Sequence, residues 1–253
     1  MEIKDQVVLV TGASRGLGAE IAKAFGREGA RVIVNYHQSE QKAKEVVQSI
    51  GDRTIAIQAN VTDKEQVQDM FAQAENHFGH PVTTVINNAL VNFKFDAVNK
   101  KNAQTIEWED YQTQLEGSVK AALHTTQAAV EGMSGLKFGR IINIGTNLVQ
   151  NPVVPYHDYN TSKAALIGFT RTMARELGEK GITVNMVSGG LLQMTDASAS
   201  TPSEVFELIK ESTPLKRVTT PAELADATLL FASPWSRATT GQNLVVDGGL
   251  VMN

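Results

Sequence analysis

Tyr159 and Lys163 are the two residues whose types and spacing indicate chemistry most directly. Side chains four residues apart on a helix project from the same face. A Lys cation beside a phenol stabilises the phenolate, so we expect Lys163 to lower the pKa of Tyr159 from its usual value of about 10. Such a Tyr can donate a proton to a carbonyl oxygen that receives a hydride, or remove one in the reverse direction. The pair therefore predicts a proton-transfer site for reactions of ketones or alcohols.

A glycine-rich segment near the start of the chain predicts the partner of this site. Gly12, Gly16 and Gly18 follow an apolar run and precede a helix-forming segment. Glycines at this spacing let backbone N–H groups approach a pyrophosphate at a helix N-terminus, which indicates dinucleotide binding. The second predicted strand ends without the acid that would bind the ribose 2′-hydroxyl of NAD. Arg15, within the glycine-rich segment, is suited to a 2′-phosphate, and together with the missing acid it favours NADP(H). The alternative is that Arg15 is an ordinary solvated loop cation.

Strand-like and helix-like segments alternate along the whole chain and would position these residues. The apolar, β-branched runs that predict strands are 7–11, 31–36, 54–58, 83–87, 140–145, 182–187 and 243–246. This alternation predicts an α/β fold: a doubly wound, mostly parallel, seven-stranded Rossmann-type sheet with helices on both faces. We expect a single domain over 1–253, long helices over 107–130 and 158–180, and a substrate lid near 191–214.

The composition limits the classes of function. The chain has 253 residues, 42% of them hydrophobic, with a net charge of −4. This balance disfavours a nucleic-acid or membrane-surface protein. The absence of cysteine excludes disulfides, thiolate metal sites and a Cys nucleophile, and we expect no metal. With neither a signal-like start nor a membrane-length apolar run, a cytoplasmic protein is expected.

Four segments together resemble the short-chain dehydrogenase/reductase family in order and spacing: 11–18, Asn87-Asn88-Ala89, Tyr159 to Lys163, and 240–249. The resemblance covers essentially the whole chain and is greatest to the 3-oxoacyl-acyl-carrier-protein reductases. It implies that Tyr159 is the general acid/base and that Lys163 tunes it and binds the nicotinamide ribose. It also implies that Thr146 polarises the carbonyl and that Gln114 anchors a proton-relay water through its backbone.

The glycine pattern and the resemblance together imply a set of cofactor-binding residues. These residues are Gly12, Ser14, Arg15, Gly16, Leu17, Gly18, Asn35, Tyr36, His37, Asn60, Val61, Asn88, Ala89, Tyr159, Lys163, Gly190 and Leu192. Several positions depart from the family pattern. Thr146 replaces the usual Ser, Gln114 the usual Asn, and Asn60 an Asp whose contact with adenine its amide oxygen can still make. Either Met194 or Thr195 takes the place of the Thr that binds the nicotinamide carboxamide.

The resemblance implies an NADPH-dependent reductase of a ketone, such as a 3-oxoacyl thioester in fatty acid biosynthesis. A short-chain dehydrogenase of a sugar, polyol or steroid is the alternative, and a non-enzymatic dinucleotide-binding regulator is a remote one. The resemblance also implies a homotetramer. It further implies that an acyl carrier protein docks at Lys137 and Lys180. Both lysines are equally well explained as ordinary solvated side chains at the ends of elements. Phe93 and Phe95 are either lid anchors or loop packing.

Overall fold

A computed structural model of the chain describes residues 1–93, 95–193, 195, 198 and 201–252. Its strands are β1 (Val7–Val10), β2 (Arg31–Tyr36), β3 (Thr54–Gln58), β4 (Thr84–Asn87), β5 (Gly139–Thr146), β6 (Ile182–Gly189) and β7 (Asn243–Val246). They form one seven-stranded sheet in the order β3-β2-β1-β4-β5-β6-β7. Every neighbouring pair is parallel. The doubly wound parallel sheet predicted from the sequence is thereby confirmed.

Eight α-helices connect these strands in the described part of the chain. They are α1 (Gly16–Arg27), α2 (Glu40–Ile50), α3 (Lys64–Phe78), α4 (Trp108–Leu115), α5 (Ala121–Leu136), α6 (His157–Leu177), α7 (Ser203–Ser212) and α8 (Pro221–Ala232). The continuous helix predicted over 107–130 is interrupted by a π-helical turn at Glu116–Lys120. Within the described residues, a helix with the length and apolar character needed to cross a membrane is absent.

The two faces of the sheet carry separate hydrophobic cores, because successive side chains of a strand point to opposite faces. Val8 and Val10 of β1 pack with side chains of α1 and α8, including Phe25 and Leu224. Val7 and Leu9 point the other way and pack with α3, α5 and α6. Strands buried on both faces explain why the runs that predicted them are apolar throughout rather than alternating.

The carboxyl ends of all seven strands lie along one edge, because the strands are parallel. The chain runs from β1 to β2 on one side and from β4 to β5 on the other, so a crevice opens outside the ends of β1 and β4. Ligands of doubly wound sheets bind at such a switch point. The same argument places Tyr159 near the crevice, since it follows β5 and begins α6.

Lys137 and Lys180 lie at the opposite edge of the sheet. Lys137 caps the end of α5 just before β5 begins, and Lys180 ends the short turn before β6. Strand β5 has 8 residues, so about 25 Å of strand separates these lysines from the crevice. The prediction that they flank the mouth of the active site is therefore wrong, because both precede their strands in a parallel sheet.

Candidate active site

Thr146, Tyr159 and Lys163 come together at the carboxyl end of β5. Thr146 is the last residue of that strand, and the other two lie in the first turns of α6. All three are buried. The Lys163 Nζ donates a hydrogen bond to the backbone oxygen of Ile144 at 2.8 Å, and the Thr146 Oγ1 accepts one from the Leu148 N–H at 3.2 Å. The helix and the strand thus hold a phenol, a hydroxyl and an amine beside one crevice.

Burial controls the electrostatics of this group. It raises the pKa of Tyr159 to about 12, and the hydrogen bond to the Thr146 hydroxyl opposes that rise. It also lowers the pKa of Lys163 to about 8, because a charged amine is disfavoured away from water. The Lys163 Nζ lies 5.8 Å from the centre of the Tyr159 ring. We expected Lys163 to lower the pKa of Tyr159, but burial is the largest influence on that phenol and raises its pKa.

A small cavity adjoins Lys163. It has a volume of about 10 Å³ and is lined by Thr11, Asn87, Gly117, Ser118 and Lys163, among others. This volume is about that of one water-sized probe, and the surrounding hydroxyl, amide and amine groups supply the polar partners that a buried water needs. The cavity is thus suited to a single water within reach of the Lys163 amine.

Gln114 does not belong to the wall of this cavity. Its side chain is buried and donates to the backbone oxygen of Val91 at 3.0 Å. The π-helical turn that follows α4 brings Gly117 and Ser118 to the cavity instead, and the Ser118 Oγ lies 3.3 Å from the Ser162 Oγ. The assignment of the relay position to Gln114 is corrected accordingly. The resemblance to the family implied Gln114, and the π-turn that follows inserts a residue into the helical register just beyond that position.

The glycine loop is shaped for close approach of a ligand to the backbone. Gly12 has a φ of +61°, and a Cβ at this position would lie 2.9 Å from the Cα of Ala89. A Cβ on Gly18 would lie 2.5 Å from the Nδ2 of Asn88. The Thr11 hydroxyl accepts hydrogen bonds from the N–H groups of Asn88 and Ala89. The loop therefore leads without side-chain obstruction into the N-terminus of α1, which fits the pyrophosphate of a dinucleotide.

Asn35 stabilises this loop from behind. Its side chain is only 2% exposed. The Oδ1 accepts from the Gly12 N–H at 3.1 Å, and the Nδ2 donates to the Ala59 backbone oxygen at 3.1 Å. Asn35 was expected among the cofactor-binding residues, and both ends of its side-chain amide are bonded to backbone. It connects the glycine loop to the end of β3 and so fixes the shape of the loop.

The side chain of Asn60 also makes a different contact from the one expected with the adenine. Its Oδ1 accepts hydrogen bonds from both the N–H and the hydroxyl of Thr62. A carbonyl oxygen has two lone pairs, so the acceptor that we assigned to the adenine is already occupied by this turn. Asn60 still borders the crevice beside Val61, where its contribution is the shape of the wall.

Except for Gln114, every predicted catalytic and cofactor-binding residue lines a single cleft of about 1430 Å³. Thr195 lies against the glycine loop. A Cβ added at Gly16 would be 3.9 Å from the Cβ of Thr195, which is ordinary van der Waals contact. Met194, the other candidate for the carboxamide contact, lies outside the described residues.

Over the ranges that the structure describes, no group of three or more His, Asp or Glu side chains is arranged to hold a metal.

Sequence reasoning missed a second anchor near Thr146. Asn147 donates to the buried Asp247 at 2.9 Å, and Asp247 also accepts the N–H groups of Gly249 and Val251. This carboxylate therefore ties the segment after β7 to the end of β5, and Leu250 of that segment lines the cleft. The partners are 100 residues apart in the chain, so no local pattern indicates the contact.

Comparisons with known proteins give the same family. Residues 12–251 match the family described as enoyl-(acyl carrier protein) reductase. A 3-oxoacyl-acyl-carrier-protein reductase of Staphylococcus aureus is 36% identical over 251 residues, covering 96% of this chain and 97% of the relative. The corresponding reductase of Vibrio cholerae is 32% identical over the full length of both chains. A crystal structure from Agrobacterium tumefaciens, assigned as a gluconate dehydrogenase, superimposes with a TM-score of 0.89 at 27% identity over both whole chains.

The fold, the glycine loop and the Tyr159–Lys163 pair define an oxidoreductase that uses a nicotinamide dinucleotide and acts on alcohol or ketone groups. The chain belongs to the short-chain dehydrogenase/reductase family. The recognition made from the sequence is confirmed. The activities named for these relatives, on a 3-oxoacyl group and on gluconate, are consistent with this class.

Burial of Lys163 predicts a specific dependence of stability on pH. Its folded pKa of about 8 lies below its ordinary value of 10.5, so the charged amine destabilises the folded state below pH 8, and this penalty disappears as pH rises to 10.5. Lys163→Met should therefore raise the free energy of unfolding at pH 7 by about 3 kcal/mol, and the difference from the wild type should shrink to below about 1 kcal/mol by pH 10. Urea denaturation between pH 7 and 10 measures it. The exposed Lys23→Met is the matched control; a Lys163→Met difference that does not change with pH would contradict the burial argument.

Proposed function

We propose that the protein is an NADPH-dependent reductase of 3-oxoacyl thioesters, with the carrier-bound form as the natural substrate. The observation that carries this proposal is the character of the cleft beside Tyr159. Apolar and aromatic side chains form its walls, including Phe93, Val153, Tyr156 and Leu208. Among the described lining residues, the only Lys and Arg side chains are Arg15 and Lys163. Such a site suits an acyl chain, and the reductases that this chain resembles are named for that substrate.

The chain's own groups perform the proton chemistry. A substrate carbonyl placed between Thr146 and Tyr159 accepts a hydrogen bond from the Thr146 hydroxyl, which stabilises the charge that develops on its oxygen. Tyr159 is protonated at neutral pH, because burial holds its pKa at about 12. It donates its proton to that oxygen as the carbon is reduced. NADPH, when bound against the glycine loop, supplies the hydride.

Tyr159 must then regain a proton. Lys163 is the nearest titratable amine, and a pKa of about 8 lets it give up and regain a proton near neutral pH. A water in the small cavity beside Lys163 and Ser118 would continue this path. We therefore assign the relay position to the π-helical turn rather than to Gln114. In this scheme Lys163 supplies protons to Tyr159 instead of stabilising a phenolate.

The preference for NADPH over NADH rests on the end of the cleft formed by β2 and the glycine loop. Arg15, Tyr36 and His37 border this end, and the segment after β2 runs His37-Gln38-Ser39 without an acid. A carboxylate there would bind a ribose 2′-hydroxyl and repel a 2′-phosphate. A guanidinium supplies the charge and paired donors that a phosphate favours.

We further propose that one domain holds the whole site and that 191–214 acts as its lid. Side chains of α7 line the same cleft as Tyr156, and Thr195 lies against the glycine loop. A homotetramer is also proposed. Trp108 of α4 is 66% exposed and stacks on Tyr111, which gives that helix an apolar surface suited to a partner copy.

Oxidation of a sugar acid is the second candidate function, because the structural neighbour is assigned as a gluconate dehydrogenase. A carboxylate substrate is normally bound by Arg or Lys, and the described walls beside Tyr159 offer Lys163 alone. A regulator that only binds the dinucleotide would have no use for a Tyr, Thr and Lys buried together at the nicotinamide end. Turnover of a 3-oxoacyl thioester with NADPH separates these three functions.

Tyr159→Phe should abolish reduction of an acetoacetyl thioester, with kcat falling at least a thousandfold. The change removes only the hydroxyl, whose proton is transferred in the transition state. The Kd for NADPH should stay within about threefold, since the ring remains. NADPH absorbance measures turnover and fluorescence titration measures binding. Tyr111→Phe, outside the described cleft, is the control. More than a few per cent residual activity in Tyr159→Phe would disprove the assignment.

Arg15→Ala should reduce kcat/KM for NADPH by about tenfold to a hundredfold and leave kcat/KM for NADH within about threefold. The reason is that only NADPH carries the 2′-phosphate, and a charge-assisted bond to it contributes about 1.5–3 kcal/mol. Initial rates with each cofactor provide the test, with Arg27→Ala at the far end of α1 as control. Equal loss with both cofactors, or equal use of both by the wild type, would contradict the proposed cofactor preference.

A further inference from the structure

Two phenylalanines of the loop between β4 and α4 lie directly on Tyr159. The Phe93 ring stacks on the Tyr159 ring, with centres 4.6 Å apart and planes 18° apart. The Phe95 ring meets Tyr159 edge-on at 5.2 Å. Tyr156 contacts both phenylalanines, at 5.4 and 5.8 Å. We call Phe93, Phe95 and Tyr156 the aromatic wall.

Polar contacts hold the loop on both sides of these two rings. Asp96 accepts hydrogen bonds from the N–H groups of Val98 and Asn99, and Lys101 pairs with Asp110 at 2.6 Å. At its start, the loop is held by the bond from Gln114 to the Val91 backbone oxygen. Polar contacts therefore fix the loop at both ends, while its two phenylalanines remain half-buried and line the cleft.

The position of the wall determines what it would contact. A carbonyl oxygen within hydrogen-bond reach of the Tyr159 hydroxyl brings its two substituents into the cleft beside that ring. Phe93 and Phe95 line this space, and Val153 and Leu208 also border it. An apolar chain entering here removes apolar surface from water on both sides, whereas hydroxyl or carboxylate groups placed against Phe93 and Phe95 would lose water without gaining a hydrogen bond from these rings.

We propose that Phe93 and Phe95 are specificity-determining residues that bind the apolar chain of the substrate beside its reacting carbonyl. This inference rests on the proposed reductase function and extends it to the choice among ketones. The wall selects acyl chains of increasing length and disfavours polyhydroxylated substrates. It acts on binding and orientation, while Tyr159, Thr146 and Lys163 perform the chemistry.

The test is the dependence of kcat/KM on acyl length. Burial of one methylene contributes about 0.8 kcal/mol, which is about a fourfold gain per carbon. With 3-oxoacyl-N-acetylcysteamine thioesters of four to ten carbons, we expect the wild type to gain about threefold per methylene over the first carbons. The Phe93→Ala/Phe95→Ala variant should gain less than about 1.5-fold per methylene, chiefly through a higher KM. The gain per methylene is calculated for each protein relative to its own four-carbon substrate, because loss of the two rings also exposes Tyr159.

Two matched variants separate the wall from general damage. Phe93→Leu/Phe95→Leu keeps apolar bulk and should restore most of the dependence on chain length. Asn99→Ala, in the same loop, removes a side chain that bonds Asp96 and should leave the dependence unchanged. An equal loss at every chain length, or an unchanged gain per methylene in the double Ala variant, would overturn the proposal. If the double variant fails to fold, Phe95→Ala alone is used, with half of the effect expected.

Calorimetry makes this inference separable from the proposed function. Saturated acyl-N-acetylcysteamine thioesters lack the 3-oxo group and are not turned over, so their binding in the presence of NADP+ reports contact with the acyl chain separately from turnover. The affinity should rise with chain length in the wild type and should be nearly flat in the double Ala variant. Absence of turnover with every 3-oxoacyl thioester would refute the proposed function. The same binding profile in both proteins would refute the role of the wall.

Discussion

The burial of a lysine between β5 and α6 is the constraint on which the rest of the site depends. Lys163 is 4% exposed and its amine is bonded to the backbone oxygen of Ile144. A charged amine is costly there, so its pKa falls to about 8. The same exclusion of water keeps Tyr159 protonated, with its pKa raised to about 12. The site therefore holds an acid ready to donate and, next to it, an amine able to exchange protons near neutral pH.

The parallel sheet makes this arrangement possible. It brings the ends of β1, β4 and β5 to one edge, so the glycine loop and the Tyr159 helix face the same crevice although they are about 150 residues apart in the chain. Asn35 fixes the loop from behind by bonding to the Gly12 N–H. The cleft can thus divide its tasks: polar backbone at the β1 end suits a pyrophosphate, and apolar walls at the β5 end suit a carbon chain.

The features predictable from the sequence were those set by local patterns. Apolar runs predicted the seven strands, and the glycine spacing predicted the loop at the start of α1. Tyr159 and Lys163 were found because a regular helix places them on one face. The errors arose where longer-range geometry decides. A π-turn moves Ser118, rather than Gln114, to the cavity beside Lys163. Lys137 and Lys180 precede parallel strands and so lie at the wrong edge. The pKa of Tyr159 depends on burial, which no local spacing reports.

The central claim, that burial keeps Tyr159 protonated far above its ordinary pKa, is tested most directly by observing that phenol. The chain has 4 tyrosines, so Tyr159→Phe identifies the Cζ resonance of Tyr159 in protein labelled with ¹³C at tyrosine Cζ. The resonance should be followed from pH 8 to 12 without added cofactor, with circular dichroism monitoring the fold. We predict that it keeps the chemical shift of a neutral phenol to at least pH 11. A transition to phenolate below pH 10 would contradict the account and show that Lys163, not burial, dominates the ionisation of Tyr159.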